Sequence, residues 1–245
     1  MALNILITND DGMNAAQLVP LVHYCRRFGQ VDVVVPKVEQ SGKSHGIEIH
    51  KSFEAKKVSL APDVTAWAVD STPADCVRFA VLGLHMKPDF VISGINRGLN
   101  IGTDILYSGT VGAAGEAVNF GIPALALSTT PQNYDAGQAL SQLDTIFAYL
   151  KEKDLYAHHS FYNVNIPASP KGIRITHQGG PYFSDSFPME SPDIYRPTGI
   201  MVWQDRGDDT LDTDATLHGY ISITPLTTDK TCWNIYNKLV EQEQA

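Results

Sequence analysis

The opening stretch of the chain places two short apolar runs, residues 3–8 (Leu-Asn-Ile-Leu-Ile-Thr) and 31–35 (Val-Asp-Val-Val-Val), around one segment of helical periodicity. In that segment Leu18, Leu21, Val22, Cys25 and Phe28 recur three and four residues apart, and Gly29 is placed to stop the helix. Strand, helix and strand in this order require parallel strands joined by a right-handed crossover. That restricts the chain to a layered α/β architecture.

The unit then repeats. Thr72-Pro73-Ala74-Asp75 spells a helix start, with a Thr cap, Pro in the first position and an acid three residues after the cap. Val77, Ala80, Val81 and Leu84 supply its buried stripe. Residues 89–93 read as a third strand, 110–120 as a helix of small residues and 124–127 as a fourth strand. Leu140, Leu143, Ile146, Phe147 and Leu150 mark another amphipathic helix. Residues 47–49 and 64–69 alternate polar and apolar, which predicts a small antiparallel insert. The expected fold class is α/β, a doubly wound, mostly parallel sheet in three layers.

Beyond Tyr162 the texture changes. Residues 163–167, 174–177, 199–204 and 220–224 read as further strands and 233–240 as a final helix. Residues 179–197 are dense in Gly, Pro, Ser and Asp, which predicts a projecting loop or hairpin arm. The reading is one domain over 1–245, with a core over approximately 1–165 and a β-rich C-terminal extension over approximately 166–245.

Net charge is −9, which argues against a nucleic acid polymer or an anionic membrane held through bulk charge. No apolar run approaches the ~18 residues that would span a bilayer. Cys25, Cys76 and Cys232 are odd in number and widely spaced, so they make neither a disulfide framework nor a zinc cluster. With no segment that reads as a targeting signal, the expected location is the cytoplasm.

In a doubly wound sheet ligands bind beyond the carboxyl ends of the strands. Asn9-Asp10-Asp11-Gly12 follow the first strand here, Gln40-Ser41-Gly42 the second, and residues 93–102, with glycines at 94, 98 and 102, the third. No Gly-x-Gly-x-x-Gly turn follows strand one. Gly42-Lys43-Ser44 lacks the earlier glycine of a P-loop because position 37 is Lys37, and Ser108 has no Gly-x-Ser-x-Gly frame. Asp10 and Asp11 suit an ordinary Asp-Gly turn or helix cap. Their place on the ligand edge, and the cost of two adjacent like charges, instead favour a hard dication, Mg²⁺ or Mn²⁺. Ser108-Gly109-Thr110 precede a helix and read equally as a cap or as a phosphate cradle of hydroxyls and free N–H groups. No histidine is placed by sequence to act as a general acid.

Taken in order, several motifs resemble the SurE (survival protein E) family of metal-dependent nucleotidases. They are Leu6-Ile7-Thr8-Asn9-Asp10-Asp11-Gly12, Gln40-Ser41-Gly42, Thr72-Pro73-Ala74-Asp75-Cys76-Val77 and the segment from Ser93-Gly94-Ile95-Asn96 to Asp104. Tyr107-Ser108-Gly109-Thr110-Val111, Asn163-Val164-Asn165-Ile166-Pro167 and Ser222-Ile223-Thr224-Pro225-Leu226 follow. The resemblance implies a Rossmann-like core and one divalent cation per subunit, Mn²⁺ or Mg²⁺, held by Asp10, Asp11, Ser41 and Asn96. It also implies hydrolysis of nucleoside 5′- and often 3′-monophosphates, in some members of short polyphosphate, and a C-terminal arm exchanged in homodimers or homotetramers. On this reading Asp10, Asp11 and Asn96 are catalytic and Ser108, Gly109 and Thr110 hold the phosphate. Asn9 then orients the phosphate or a metal ligand. The chain departs from the family pattern at Ser71, at 14–17 and at Trp233. Lys43 and His45 fall in a variable stretch and carry no expected role.

Overall fold

A computed structural model describes residues 2–135 and 137–244. In chain order the elements are β1 (Leu3–Thr8), α1 (Leu18–Cys25), β2 (Gly29–Pro36), β3 (Ala55–Ala61), β4 (Val64–Val69), α2 (Pro73–Arg78), β5 (Phe90–Arg97), α3 (Gly109–Asn119) and β6 (Ala124–Thr129). There follow α4 (Pro131–Asp135), α5 (Leu143–Glu152), α6 (Leu155–His158), β7 (Phe161–Ile166), β8 (Ile173–Ile175), β9 (Phe183–Ser186), β10 (Met189–Ser191), β11 (Ile194–Tyr195), β12 (Thr198–Met201), α7 (Asp212–Leu217), β13 (Ile221–Pro225) and α8 (Trp233–Glu243). A 3₁₀ turn over Gly102–Tyr107 leads into α3.

Nine strands form one sheet in the order β3-β4-β2-β1-β5-β6-β7-β13-β8. The run from β4 to β7 is parallel throughout, as the repeated strand–helix pattern requires. Only β3 against β4 and β13 against β7 are antiparallel. Chain order reverses direction between β1 and β5, so a crevice opens there at the carboxyl ends of the strands.

Period-two alternation sorts β1 between two cores. Ile5 and Ile7 face Leu18, Leu21, Val22 and Cys25 of α1, in a cluster shared with Leu143, Ile146 and Leu150 of α5. Leu6 faces the other way, with Cys76 and Val77 of α2 and Ala113, Ala114 and Ala117 of α3. Alanine on the inner side of α3 lets that helix approach the sheet closely. Each fully buried Ile or Leu contributes about 1.5–3 kcal/mol.

The helix start at Thr72 is as expected: Thr72 Oγ1 accepts from Asp75 N (3.1 Å) and Pro73 is the first helical residue. Other expectations need correction. Residues 47–49 form no strand, and the partner of β4 is β3 instead. Gly29 begins β2 rather than ending α1, because a Cβ there would overlap the Leu3 backbone of the adjacent strand. Beyond residue 165, β13 and β8 continue the central sheet.

The projecting segment is a two-tier hairpin. β9 pairs with β12 and β10 with β11, and Phe183, Met189, Ile194, Tyr195, Ile200 and Met201 along it are exposed. The strand expected over 199–204 is therefore β12, part of this arm. At its root, wholly buried Asp212 accepts from Gly179 N (2.7 Å) and Gly102 N (3.0 Å). Gln178 Nε2 donates to the Gly102 carbonyl (3.0 Å). Among the described residues no helix is long and apolar enough to cross a membrane.

Candidate functional site

The turn after β1 is closed by its own first residue. Asn9 Nδ2 donates to the Gly12 carbonyl (3.0 Å), and Asn9 Oδ1 accepts from Gly12 N (3.1 Å). Asn9 is buried, and its bonds to Gly12 from both the amide nitrogen and the amide oxygen shape the loop that carries Asp10 and Asp11. Gln40 N donates to the Asp10 carbonyl (2.7 Å), which brings the loop after β2, with Ser41, onto the same edge.

Asp10 is 4% exposed. Its Oδ1 accepts from Thr110 Oγ1 (2.5 Å) and its Oδ2 from Thr110 N (3.0 Å), so the carboxylate sits on the positive end of α3. Gly109 permits this approach, because a Cβ there would lie 3.0 Å from both Asp10 Cβ and Pro73 Cγ. Ser108 caps the helix, its Oγ accepting from Val111 N (3.1 Å). Two first-turn N–H groups and the Thr110 hydroxyl, all counted toward a phosphate cradle from sequence, are thus engaged within the protein. The Ser108 hydroxyl proton is given to no described residue.

Asp11 Oδ2 accepts from Arg97 N (3.1 Å). The Arg97 guanidinium turns away onto Asp135, with Nε to Oδ1 and Nη2 to Oδ2 both 2.8 Å. Burial, and next the Asp10 charge, push the Asp11 carboxyl up to about 7. Burial likewise raises Asp10 above the usual carboxylate range, despite its bonds to Thr110. Among the described residues no Lys, Arg or His side chain forms an ion pair with either acid.

Asn96 is aimed by a bulge. Ser93 pairs with Ala126 and Asn96 with Ser128, so β5 spends one more residue than β6 over this interval. Asn96 Nδ2 donates to the Gly98 carbonyl (2.9 Å), which orients the amide, and its Oδ1 accepts from no described residue. Ser41 Oγ donates to Glu39 Oε1 (2.7 Å), and the Glu39 charge adds to the electrostatic load on both acids. Two carboxylates, an amide oxygen and a hydroxyl are hard oxygen donors. The acids' raised protonation marks a place where a divalent cation would be stabilising, so this donor set fits such an ion.

One arrangement was not foreseen. His45 Nε2 lies 2.7 Å from Glu116 Oε2, and Arg78 Nη1 donates to Glu116 Oε1 (2.7 Å). Glu116 is buried and held below the ordinary carboxylate value, chiefly by His45. The signal available in sequence was a lone acid inside the small-residue helix. The cluster fastens the loop carrying Ser41 along α3.

Fold and site together define a class: a doubly wound α/β protein with a buried acid pair at the switch point of its sheet. A family model described as Survival protein SurE matches residues 5–185, and the chain belongs to the SurE family. It is 38% identical to a 5′-nucleotidase SurE of Thermoanaerobacter sp. (strain X514), covering 97% of both chains. A 5′-nucleotidase SurE of Gemmatimonas aurantiaca is 36% identical, with 98% of both covered. Among solved structures, the SurE protein from Aquifex aeolicus superposes with a TM-score of 0.75 at 30% identity, covering 98% of this chain and 99% of that one.

Proposed function

We propose that this chain is a divalent-metal-dependent phosphomonoester hydrolase that releases phosphate from nucleoside 5′- and 3′-monophosphates. The observation that carries the reading is the Asp10–Asp11 pair. The two carboxyls are both raised in pKa and held by backbone and Thr110 donors, and neither is ion-paired with a described cationic side chain. The names of the relatives point the same way, toward nucleotide substrates.

Asp10, Asp11, Asn96 and Ser41 are the residues that would hold one Mn²⁺ or Mg²⁺. When bound there, such a cation supplies charge neutralisation at phosphoryl oxygens and acidification of water. Thr110 fixes both oxygens of Asp10, and Arg97 N fixes Asp11, so the acids do not need to reorganise when substrate arrives. The Ser108 hydroxyl, whose proton is given to no described residue, would donate to a phosphoryl oxygen as charge develops there. Exposed Trp233, Ile235, Tyr236 and Leu239 on α8, with the apolar arm, suit self-association into a homodimer or homotetramer.

The test is phosphate release from AMP, GMP and p-nitrophenyl phosphate with Mn²⁺, and again with excess EDTA. The expected result is metal-dependent turnover that EDTA abolishes. Nucleotide binding without turnover, or turnover confined to polyphosphate, overturns the proposal.

A further inference from the structure

A cavity of about 590 Å³ opens between the 3₁₀ turn and the base of the arm. Its walls include Gly42, Thr103, Asp104, Tyr107, Phe183 and Asp185. That volume falls in the range of roughly 300–1,000 Å³ usual for small-molecule sites. Tyr107 immediately precedes Ser108, and Gly42 immediately follows Ser41. The two segments are tied together, Ser44 N donating to the Tyr107 carbonyl (3.0 Å) and Ser44 Oγ to the Leu106 carbonyl (2.6 Å). The cavity therefore adjoins both the residue assigned to the phosphate and a residue assigned to the metal.

Its wall chemistry is specific. Tyr107 and Phe183 are 62% and 45% exposed, aromatic surface on which a planar heterocycle can stack. Asp104 Oδ2 accepts from Phe183 N (3.2 Å), which fixes the carboxylate, and its Oδ1 is bonded to no described residue. Asp185 stands close enough for its charge to act on Asp104. Ionised carboxylates only accept hydrogen bonds, so whatever meets them must donate. Guanine presents N1–H and an exocyclic amino group side by side, and cytosine and adenine each present an amino group. Hypoxanthine and uracil lack that amino group and offer a single ring N–H, beside one carbonyl oxygen in hypoxanthine and between two in uracil, and a carboxylate repels those oxygens.

We infer that this cavity is the nucleobase subsite and that Asp104 and Asp185 make it select bases bearing an exocyclic amino group, guanine foremost. The inference rests on the nucleotidase reading and adds to it the class of base accepted.

Matched pairs test it: kcat/KM for GMP against IMP and for CMP against UMP, in the parent and in Asp104→Asn, Asp185→Asn and Tyr107→Ala, with Mn²⁺ present. Each ratio is internal to one protein, so a general loss of activity or of folded protein cancels. The expected parent preference is roughly tenfold or more for the amino-bearing member, the size of one charge-assisted hydrogen bond. Each Asn variant should bring the ratios toward one through KM. Tyr107→Ala should raise KM for all four nucleotides and leave the ratios in place. Parent ratios within twofold of one, or ratios unchanged in both Asn variants, overturn the inference while the hydrolase reading stands. Absence of turnover on any nucleotide counts against the hydrolase reading instead. The same four nucleotides compared by equilibrium binding then decide the base preference.

Discussion

Asp10 and Thr110, 100 positions apart in the chain, are joined by two hydrogen bonds: side chain to side chain at 2.5 Å and backbone N–H to carboxylate at 3.0 Å. The pair sets the orientation of the carboxylate before any ligand is present. Thr110→Val keeps the shape and removes only the hydroxyl. It should lower kcat/KM roughly tenfold and cost about 1–3 kcal/mol of stability, because a buried carboxylate oxygen loses its donor. Thr110→Ser should restore most of both. Steady-state kinetics and thermal melts of the two variants check this, and equal defects in Val and Ser would show that the hydroxyl is not what matters.

Asp10→Asn and Asp11→Asn should each reduce Mn²⁺-supported nucleotide hydrolysis by at least about 10²-fold, since an amide cannot replace a carboxylate's charge toward a dication. Far-ultraviolet circular dichroism should remain that of the parent. Metal-free Asp11→Asn should melt higher than the metal-free parent at pH 8, because a charge that burial disfavours is gone.

The Asp11 carboxyl, at about 7 in the fold against an ordinary 3.8, makes the metal-free protein pH-sensitive in a defined direction. Between those values the folded chain keeps a proton that the unfolded chain has lost, so stability falls as pH rises through this window. A cation must displace that proton. Its affinity should therefore drop by up to roughly tenfold per pH unit below about 7. Mn²⁺ titration calorimetry in two buffers of different ionisation heat, at pH 6 and pH 8, measures this. Equal proton release at both would contradict it.

Glu116→Ala should cost about 1–3 kcal/mol and loosen the segment around His45, which the carboxylate holds together with Arg78. Glu116 is held below its ordinary value, so its contribution is present above about pH 4.5 and disappears as pH falls through the lower, folded value. Hydrogen exchange at residues 43–46 should quicken in the variant. Unchanged exchange there would mean the loop is held by something else.

The strand ends were legible because each carries its polar cluster directly behind an apolar run: Asp10 and Asp11 behind β1, Asn96 at the end of β5. The parallel order of the sheet followed from the alternation of strand and helix signals. What sequence could not show was which donor meets which acceptor. That the Thr110 hydroxyl donates to Asp10, and that both ends of the Asn9 amide bond Gly12, has no counterpart in the local sequence pattern. The His45–Glu116 contact spans 71 positions and has no local pattern. Residues 47–49 alternate like a strand but lack a partner, because β3, which does pair with β4, lies further along the chain. Local periodicity states what a segment can form, and pairing decides what it does form.

The Asp212 carboxylate grips Gly102 and Gly179 at once, so the hairpin arm is anchored at the same peptide that starts the turn ending at Tyr107. One anion thereby ties the root of the arm to that turn. Both segments share that one acceptor, so the arm's root and the cavity wall that starts at Gly102 rest together on a single buried acid.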